Sequence, residues 1–168
     1  MILTLLRHGE AGWAASDRQR ELTARGSDDL GFACTRFHAA CGARELAMPD
    51  LILHSPWLRT AQTAGIVASA FSHARVRAEQ ALQPGGRELA VDALVNAVLQ
   101  AGSDCPGHLL LVSHQPLVSR LVDRYLGQAG QVPPLSPGGL ATLELEAAAP
   151  ACARLLFWAL PPEYEAGI

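Results

Sequence analysis

The chain has 168 residues, of which 49% are hydrophobic and 17% charged, and its formal net charge is −3. These values predict a single globular domain over residues 1–168, large enough to bury a core without disulfide support. The acidic balance argues against nucleic acid or an anionic membrane as the main partner, because both need a basic surface.

Hydrophobic patterning divides the chain into alternating strands and helices. In chain order we expect a strand at 3–6, a helix capped by Thr23 and running toward Gly42, a strand at 51–53, helices at 57–71 and 89–100, a strand at 109–112, a helix from Pro116 to Gly127, and strands at 140–145 and 154–160. The first, second and third apolar runs are uninterrupted, which is typical of strands buried on both faces of a parallel sheet. The last two strands predict an antiparallel edge hairpin. The expected fold is a three-layer α/β/α sandwich with a mostly parallel central sheet and an antiparallel edge.

Reactive side chains follow the ends of the three buried strands. Arg7 and His8 come after the first, the segment 54–60 with Arg59 comes after the second, and His114 comes after the third. The carboxyl ends of such strands meet in one crevice of an open sheet. Two arginines and two histidines without an acidic cluster for Mg²⁺ indicate a site for a doubly charged oxyanion, with no metal and no cofactor. Phosphate is the ligand that we expect.

Four motifs in order carry a family resemblance. They are RHGE at 7–10, RELTARG at 20–26, SPWLRTAQT at 55–63 and VSHQPL at 112–117. In this arrangement the chain resembles the histidine phosphatase (phosphoglycerate mutase-like) superfamily over residues 1 to about 125. Its shortness and its lack of a long insertion make it look most like the SixA-type phosphohistidine phosphatases.

The resemblance implies a covalent mechanism. His8 would attack phosphorus and become phosphorylated, Arg7 and Arg59 would hold the phosphoryl oxygens, and His114 would donate a hydrogen bond to the same group. The flanking guanidiniums lower the pKa of His8, whereas a phosphate dianion would raise that of His114.

The general acid is the point where the chain departs from the mutase-type pattern. The segment 81–88, which would carry it, offers Gln83, an amide that cannot give up a proton, and Glu88, a possible acid. Phosphohistidine needs less help of this kind than a phosphate ester does. We therefore expect a phosphorylated protein, such as a histidine phosphotransfer domain, as substrate, with inorganic phosphate as product.

Other functions stay open at this point. A small-molecule phosphomonoesterase or phosphoglycerate mutase-like enzyme would use Glu88 or Glu10 as its acid, and a non-catalytic module would bind a phosphate or phosphoprotein without turnover. Four weaker candidates for binding the substrate or its phosphate are Arg20, Glu10, Ser55 and Gln115. Arg20 and Glu10 also fit ordinary solvated charges, and Ser55 fits a structural hydroxyl at a helix start. His54 ends a strand and is expected to be structural or at the rim of the pocket.

The remaining sequence features are unspecific. Cys34, Cys41, Cys105 and Cys152 are too scattered for a zinc site and too few for a disulfide framework, so we expect reduced thiols. Neither a signal peptide nor an apolar segment long enough to span a membrane is recognisable, which favours a cytoplasmic protein.

Overall fold

A six-stranded sheet forms the centre of the computed structural model, which describes residues 1–167. Its strands are β1 (Ile2–Arg7), β2 (Leu51–His54), β3 (Arg75–Ala78), β4 (His108–Ser113), β5 (Leu140–Leu145) and β6 (Ala153–Ala159). Their order across the sheet is β3-β2-β4-β1-β5-β6. The first four of these neighbours run parallel, and β5 is antiparallel to both β1 and β6. The predicted sheet with an antiparallel edge is confirmed.

Four α-helices cover the two faces of this sheet. They are α1 (Ala24–Ala43), α2 (Leu58–Ala70), α3 (Glu88–Leu99) and α4 (Leu117–Leu126). Alternate strand residues point to opposite faces, so Leu109 and Leu111 pack with α3 and α4, whereas Leu110 and Val112 pack with α1 and α2. Burial on both sides explains why the sequence of these strands is apolar without alternation. The three-layer arrangement is thereby confirmed.

The helix ends follow the signals in the sequence. Thr23 caps α1, because its side chain accepts a hydrogen bond from the amide of Gly26. Gly127 ends α4 in the left-handed conformation, at a φ of 70°. None of the helices in the described part of the chain is long and apolar enough to cross a membrane.

Strand β3 escaped the sequence-based prediction. All four of its residues are exposed, and Arg75 and Arg77 flank Val76 on an edge of the sheet. Charged residues on an edge strand discourage pairing with another chain, and they also remove the apolar signal that would mark a strand. The hairpin of β5 and β6 begins its second strand one residue earlier than predicted, at Ala153.

Candidate active site

Strand register brings the two histidines of the site together. Arg7 at the end of β1 pairs with Ser113 at the end of β4, so the next residues, His8 and His114, leave the sheet side by side. Their ring centroids are 5.1 Å apart, and both residues are buried. The predicted convergence of strand ends therefore places two imidazoles at one end of the sheet.

The ring of His8 is held in a single tautomer. Its Nδ1 lies 2.7 Å from the carbonyl oxygen of Gly9, and because a carbonyl can only accept, Nδ1 carries the proton. Nε2 is therefore unprotonated, and its lone pair accepts a hydrogen bond from Nε of Arg59 at 3.1 Å. Burial lowers the pKa of His8 to about 4, against the opposing bond to Gly9 and with help from nearby guanidiniums. The ring is thus neutral at pH 7, with an unprotonated Nε2.

Close packing fixes the backbone that carries His8. The amide of Gly9 donates to Oγ1 of Thr63, whose hydroxyl donates to the carbonyl of Arg59. A Cβ on Gly9 would lie 2.6 Å from a methyl carbon of Leu30 and 3.2 Å from the carbonyl oxygen of Gly26, so glycine allows the strand end to approach α1 closely. The hydroxyl of Thr63 thereby links the loop after β1 to Arg59.

Arg59 projects from the first turn of α2 and is 4% exposed. Its Nη1 donates to the backbone oxygen of Asp17 at 2.6 Å, and its Nη2 donates to Oδ2 of the same residue at 3.4 Å. The guanidinium carbon lies 4.9 Å from the ring centroid of Trp57, in a cation–π contact. These contacts fix the plane of the guanidinium.

Two buried nitrogen atoms near His8 have no hydrogen-bond partner within residues 1–167. One is Nε of Arg7, whose Nη1 donates to the carbonyl of Leu135. The other is Nδ1 of His114, whose Nε2 lies 2.9 Å from the hydroxyl of Ser55. Burying a polar atom without a partner is costly. These two nitrogens are therefore candidate contacts for a bound oxyanion.

The pKa of His114 is lowered to about 3, first by burial and then by the charges of His8 and Arg59. Burial also lowers the pKa of Arg7 and of Arg59. The charge of Arg59 lowers the pKa of Arg7 further, and both guanidiniums lower the pKa of His8. The upward shift expected for His114 concerns the complex with a dianion, which would reverse the sign of the local field. The positive charge of Arg7 and Arg59 in the pocket therefore favours binding of an anion.

The site opens into a cavity of about 410 Å³. Its lining consists of Arg7, His8, Glu10, Ala11, Asp17, Arg20, Arg59, Pro84, His114, Gln115 and Pro137. Seven of the residues proposed from the sequence thus meet here. Ser55, His54 and Glu88 are not part of the lining.

Three of the weaker candidates line the cavity while making structural contacts. Oε1 of Glu10 accepts from the hydroxyl of the cap residue Thr23. Arg20 donates from Nε to the carbonyl of Gly12 and from Nη2 to that of Ala11, which pins the loop above the site. Gln115 donates to the carbonyl of Leu135, as Arg7 does.

The other three candidates lie outside the cavity. Ser55 is fully buried, where it contacts His114 and accepts from the amide of Trp57. His54 donates from Nδ1 to the carbonyl of Ser55. Glu88 begins α3, and its carboxylate forms an ion pair with Arg120 at 2.7 Å. Glu88 is thus paired with Arg120 and absent from the cavity lining.

Asp17 is the charged residue of the cavity lining that sequence reasoning missed. It begins the 3₁₀ turn Asp17–Gln19, contacts Arg59 and forms an ion pair with Arg20 at 3.1 Å. No spacing in the sequence links it to the motifs, because the β1–α1 loop alone brings it over the site. Within residues 1–167, no group of three His, Cys, Asp or Glu side chains is arranged to hold a metal ion.

Similar folds occur in solved structures. The protein histidine phosphatase SixA in complex with tungstate is 25% identical, with a TM-score of 0.76 over 96% of this chain and 97% of that one. A phosphohistidine phosphatase SixA described for Nakamurella multipartitia is 25% identical, with a TM-score of 0.73 over 95% of each chain. The chain belongs to the histidine phosphatase superfamily. The SixA of Agrobacterium tumefaciens shares the fold, at 23% identity and a TM-score of 0.73, over 95% of this chain and 98% of its own.

The similarity to these histidine phosphatases comes from the comparison of structures. Neither a scan against protein-family models nor a search of curated proteins found a match. The neighbours support phosphatase activity, and the SixA-type proteins are those the sequence motifs had indicated.

Proposed function

We propose that this chain is a metal-independent phosphatase that removes the phosphoryl group from phosphohistidine in a partner protein, through a phosphorylated histidine of its own. The observation that carries the proposal is the state of His8. Its Nδ1 proton is held by the carbonyl of Gly9, and its Nε2 lone pair lies in a cavity with guanidinium groups around it. This is the arrangement that a nucleophilic imidazole needs.

In the first step Nε2 of His8 attacks phosphorus. The P–N bond of the substrate breaks, and its electron pair returns to the leaving imidazole while the new P–Nε2 bond forms. Arg7 and Arg59 hold the transferring oxygens, and Nδ1 of His114 donates to the same group. Positive charge from side chains thus does the work that a metal ion does elsewhere.

In the second step water attacks the phosphorylated His8. The P–Nε2 bond breaks, its electron pair returns to the ring, and both protons of the water end on the released phosphate. The carbonyl of Gly9 keeps the Nδ1 proton throughout. The nucleophile is thereby restored in its starting tautomer.

A phosphohistidine substrate fits a site in which Glu88, the acid expected from the sequence, pairs with Arg120 outside the cavity. When the substrate ring carries a proton on its second nitrogen, the leaving group is a neutral imidazole, identical in kind to the nucleophile. The first step then moves a phosphoryl group between two equivalent rings and needs no proton transfer. An alkyl phosphate would instead leave as an alkoxide, which needs an acid, and Glu88 is engaged with Arg120.

An exposed tryptophan supports a protein as substrate. Trp13 is 89% exposed, two residues from Ala11 in the cavity lining. Its backbone neighbour Gly12 is held on both sides, by the carbonyl of Glu21 and by Arg20. An exposed tryptophan beside a binding cavity is typical of the anchors that dominate protein interfaces. A histidine side chain is short, so a phosphohistidine can reach His8 only if its own protein touches this rim.

Trapping the intermediate tests the mechanism. Protein labelled from a ³²P-phosphohistidine domain and quenched at high pH, where phosphohistidine survives, should retain label, and His8→Ala should retain none. The label should form equally well with EDTA present. Turnover with no trapped intermediate, or label that persists in His8→Ala, contradicts the mechanism, and binding without turnover would indicate a non-catalytic module.

A substrate comparison tests the specificity. Turnover of the phosphohistidine domain should exceed that of p-nitrophenyl phosphate, sugar phosphates and nucleotides in kcat/KM. Faster turnover of any of the esters would replace the proposal with a small-molecule phosphomonoesterase.

Truncating the indole tests protein docking. Trp13→Ala should raise KM for the phosphohistidine domain by about tenfold, because a central interface tryptophan contributes upward of 1.4 kcal/mol. The kcat/KM for p-nitrophenyl phosphate should stay constant, since the indole lies outside the cavity. Val76→Ala, an exposed apolar residue on the far edge strand, is the matched control. An equal loss on both substrates would contradict a docking role.

A further inference from the structure

The substrate ring has a second nitrogen whose proton needs an acceptor. On the enzyme's own ring, His8, the equivalent proton is held by the carbonyl of Gly9 at 2.7 Å. Because the first step transfers the phosphoryl group between two like rings, the leaving ring is helped by the same kind of contact. An acceptor is therefore expected at the end of the cavity opposite His8.

Arg59 shows which residue occupies that end. Its Nε faces Nε2 of His8 at 3.1 Å, while Nη1 and Nη2 both donate to Asp17. The guanidinium thus separates His8 from Asp17 by its own width. A phosphoryl group bound against Arg59 has the nucleophile at one end and the carboxylate of Asp17 at the other.

The other acid in the lining is placed differently. Glu10 is two residues from His8 on the same loop, and its carboxylate accepts from Thr23 at the start of α1. It therefore belongs to the nucleophile side of the site. Asp17 is 56% exposed at the side chain and lies toward the mouth, where a leaving ring enters and departs.

Asp17 also has acceptor capacity to spare. Oδ1 accepts from Arg20 at 3.1 Å and Oδ2 accepts from Arg59 at 3.4 Å, whereas two carboxylate oxygens offer about four acceptor positions. The two arginines lower the pKa of Asp17, first through the hydrogen bond from Arg20. Asp17 is therefore an anion, which can accept a hydrogen bond from a protonated ring but has no proton to donate.

We propose that Asp17 accepts a hydrogen bond from the unphosphorylated ring nitrogen of the substrate phosphohistidine and thereby selects imidazole leaving groups over esters. This rests on the proposed function and adds the group that recognises the substrate class. The carboxylate favours the protonated ring, from which the P–N bond breaks with its electron pair returning to a neutral imidazole. An ester offers no such N–H, and its dianion is repelled by the same carboxylate.

Two small probes separate this contact from protein docking. Phosphoimidazole carries the second ring nitrogen, which donates a hydrogen bond when it is protonated. The leaving group of p-nitrophenyl phosphate needs neither a proton nor a hydrogen bond. In Asp17→Asn, kcat/KM for phosphoimidazole should fall about tenfold to a hundredfold, the range for a hydrogen bond to a charged group. For p-nitrophenyl phosphate it should rise, because one negative charge has left the pocket.

The pH profile provides a second readout. The carboxylate helps to keep the bound ring protonated, so the alkaline limb of kcat/KM for phosphoimidazole should move to lower pH in Asp17→Asn. The charged and titratable groups that face Asp17 directly are Arg20 and Arg59, and the rest of the lining contributes Arg7, His8, Glu10 and His114. Since p-nitrophenyl phosphate shares these groups but lacks the ring, its alkaline limb is the internal reference.

Controls distinguish recognition from support of Arg59. Asp17→Glu should restore part of the phosphoimidazole activity, and Asp28→Asn, which removes an exposed acid of α1, should leave the turnover of both substrates unaffected.

An equal loss on both probes in Asp17→Asn would overturn the inference and show that Asp17 only positions Arg59. A selective loss in Glu10→Gln instead would also overturn it. If no phosphorylated His8 can be trapped in the wild type, the proposed function itself fails, whichever probe is used.

Discussion

The reactivity of His8 depends on two hydrogen bonds that its ring makes in opposite directions. The carbonyl of Gly9 holds the Nδ1 proton, and the guanidinium of Arg59 lies against Nε2. The first bond fixes the tautomer, and the second places a positive charge where the phosphoryl oxygens arrive. Burial keeps the ring neutral, so it does not compete with the arginines for the substrate's charge.

A direct titration tests this state. The ring of His8 in the free protein should titrate with a pKa of about 4, well below the usual 6.5 for histidine. Ring-proton chemical shifts followed by NMR from about pH 3 to pH 8 report this value. Comparison with His8→Ala assigns the signal. A midpoint above 6 would mean that the imidazole is cationic in part at neutral pH and would contradict the description of the nucleophile.

At the scale of elements, the site depends on how closely α1 approaches the loop after β1. Gly26 in the first turn of α1 contacts the backbone of Glu10, and a Cβ there would lie 2.3 Å from its carbonyl oxygen. Gly31, one turn and a half further along, has no atom within 4 Å of a Cβ. The two glycines share a helix and differ in their surroundings, which makes them a matched pair.

Alanine at the two positions should have opposite effects. Gly26→Ala should lower the free energy of unfolding by about 2 kcal/mol, since the clash with backbone exceeds the gain in helix propensity. It should also reduce kcat/KM, because the displaced segment carries His8. Gly31→Ala should raise the free energy of unfolding by about 0.5 to 1 kcal/mol and leave activity unchanged. Urea unfolding and p-nitrophenyl phosphate assays measure both, and equal effects of the two variants would contradict the packing argument.

At the scale of the whole molecule, buried neutral histidines couple stability to pH. His108 at the start of β4 is fully buried, with Nδ1 bonded to the carbonyl of Ala47 and Nε2 to the hydroxyl of Thr4. Burial lowers its pKa to about 4, and those of His8 and His114 are lowered to about 4 and about 3. The unfolded chain binds these protons near pH 6.5, before the folded chain does.

The folded state should therefore lose stability as the pH falls from about 6.5 toward 4. For His108 alone the loss between pH 7 and pH 5 is on the order of 2 kcal/mol. Urea unfolding of the wild type and of His108→Gln at the two pH values measures it. The variant is expected to be less stable at both pH values. The test is therefore the stability lost between pH 7 and pH 5, which should be smaller in the variant by this amount. An unchanged difference would contradict a buried neutral His108.

The sequence by itself determined the elements that have an internal pattern. Uninterrupted apolar runs at 51–53 and 109–112 mark strands buried on two faces, and Thr23 and Gly127 mark helix ends, because these signals are local. The sequence also indicated the site members Arg7, His8, Arg59 and His114, since parallel strands bring their carboxyl ends together whatever the intervening loops do.

Only the tertiary structure decided what lies between those strand ends. Strand β3 has exposed, charged residues and is defined by its hydrogen bonds to β2, which no local pattern records. Asp17 reaches Arg59 through a loop whose course depends on contacts with Arg20, and Glu88 is drawn to Arg120 on α4. Such contacts join residues distant along the chain, so their geometry follows from packing of the whole fold. The sequence thus indicated the two histidines and two arginines that line the cavity, and the tertiary structure decided which carboxylate contacts them.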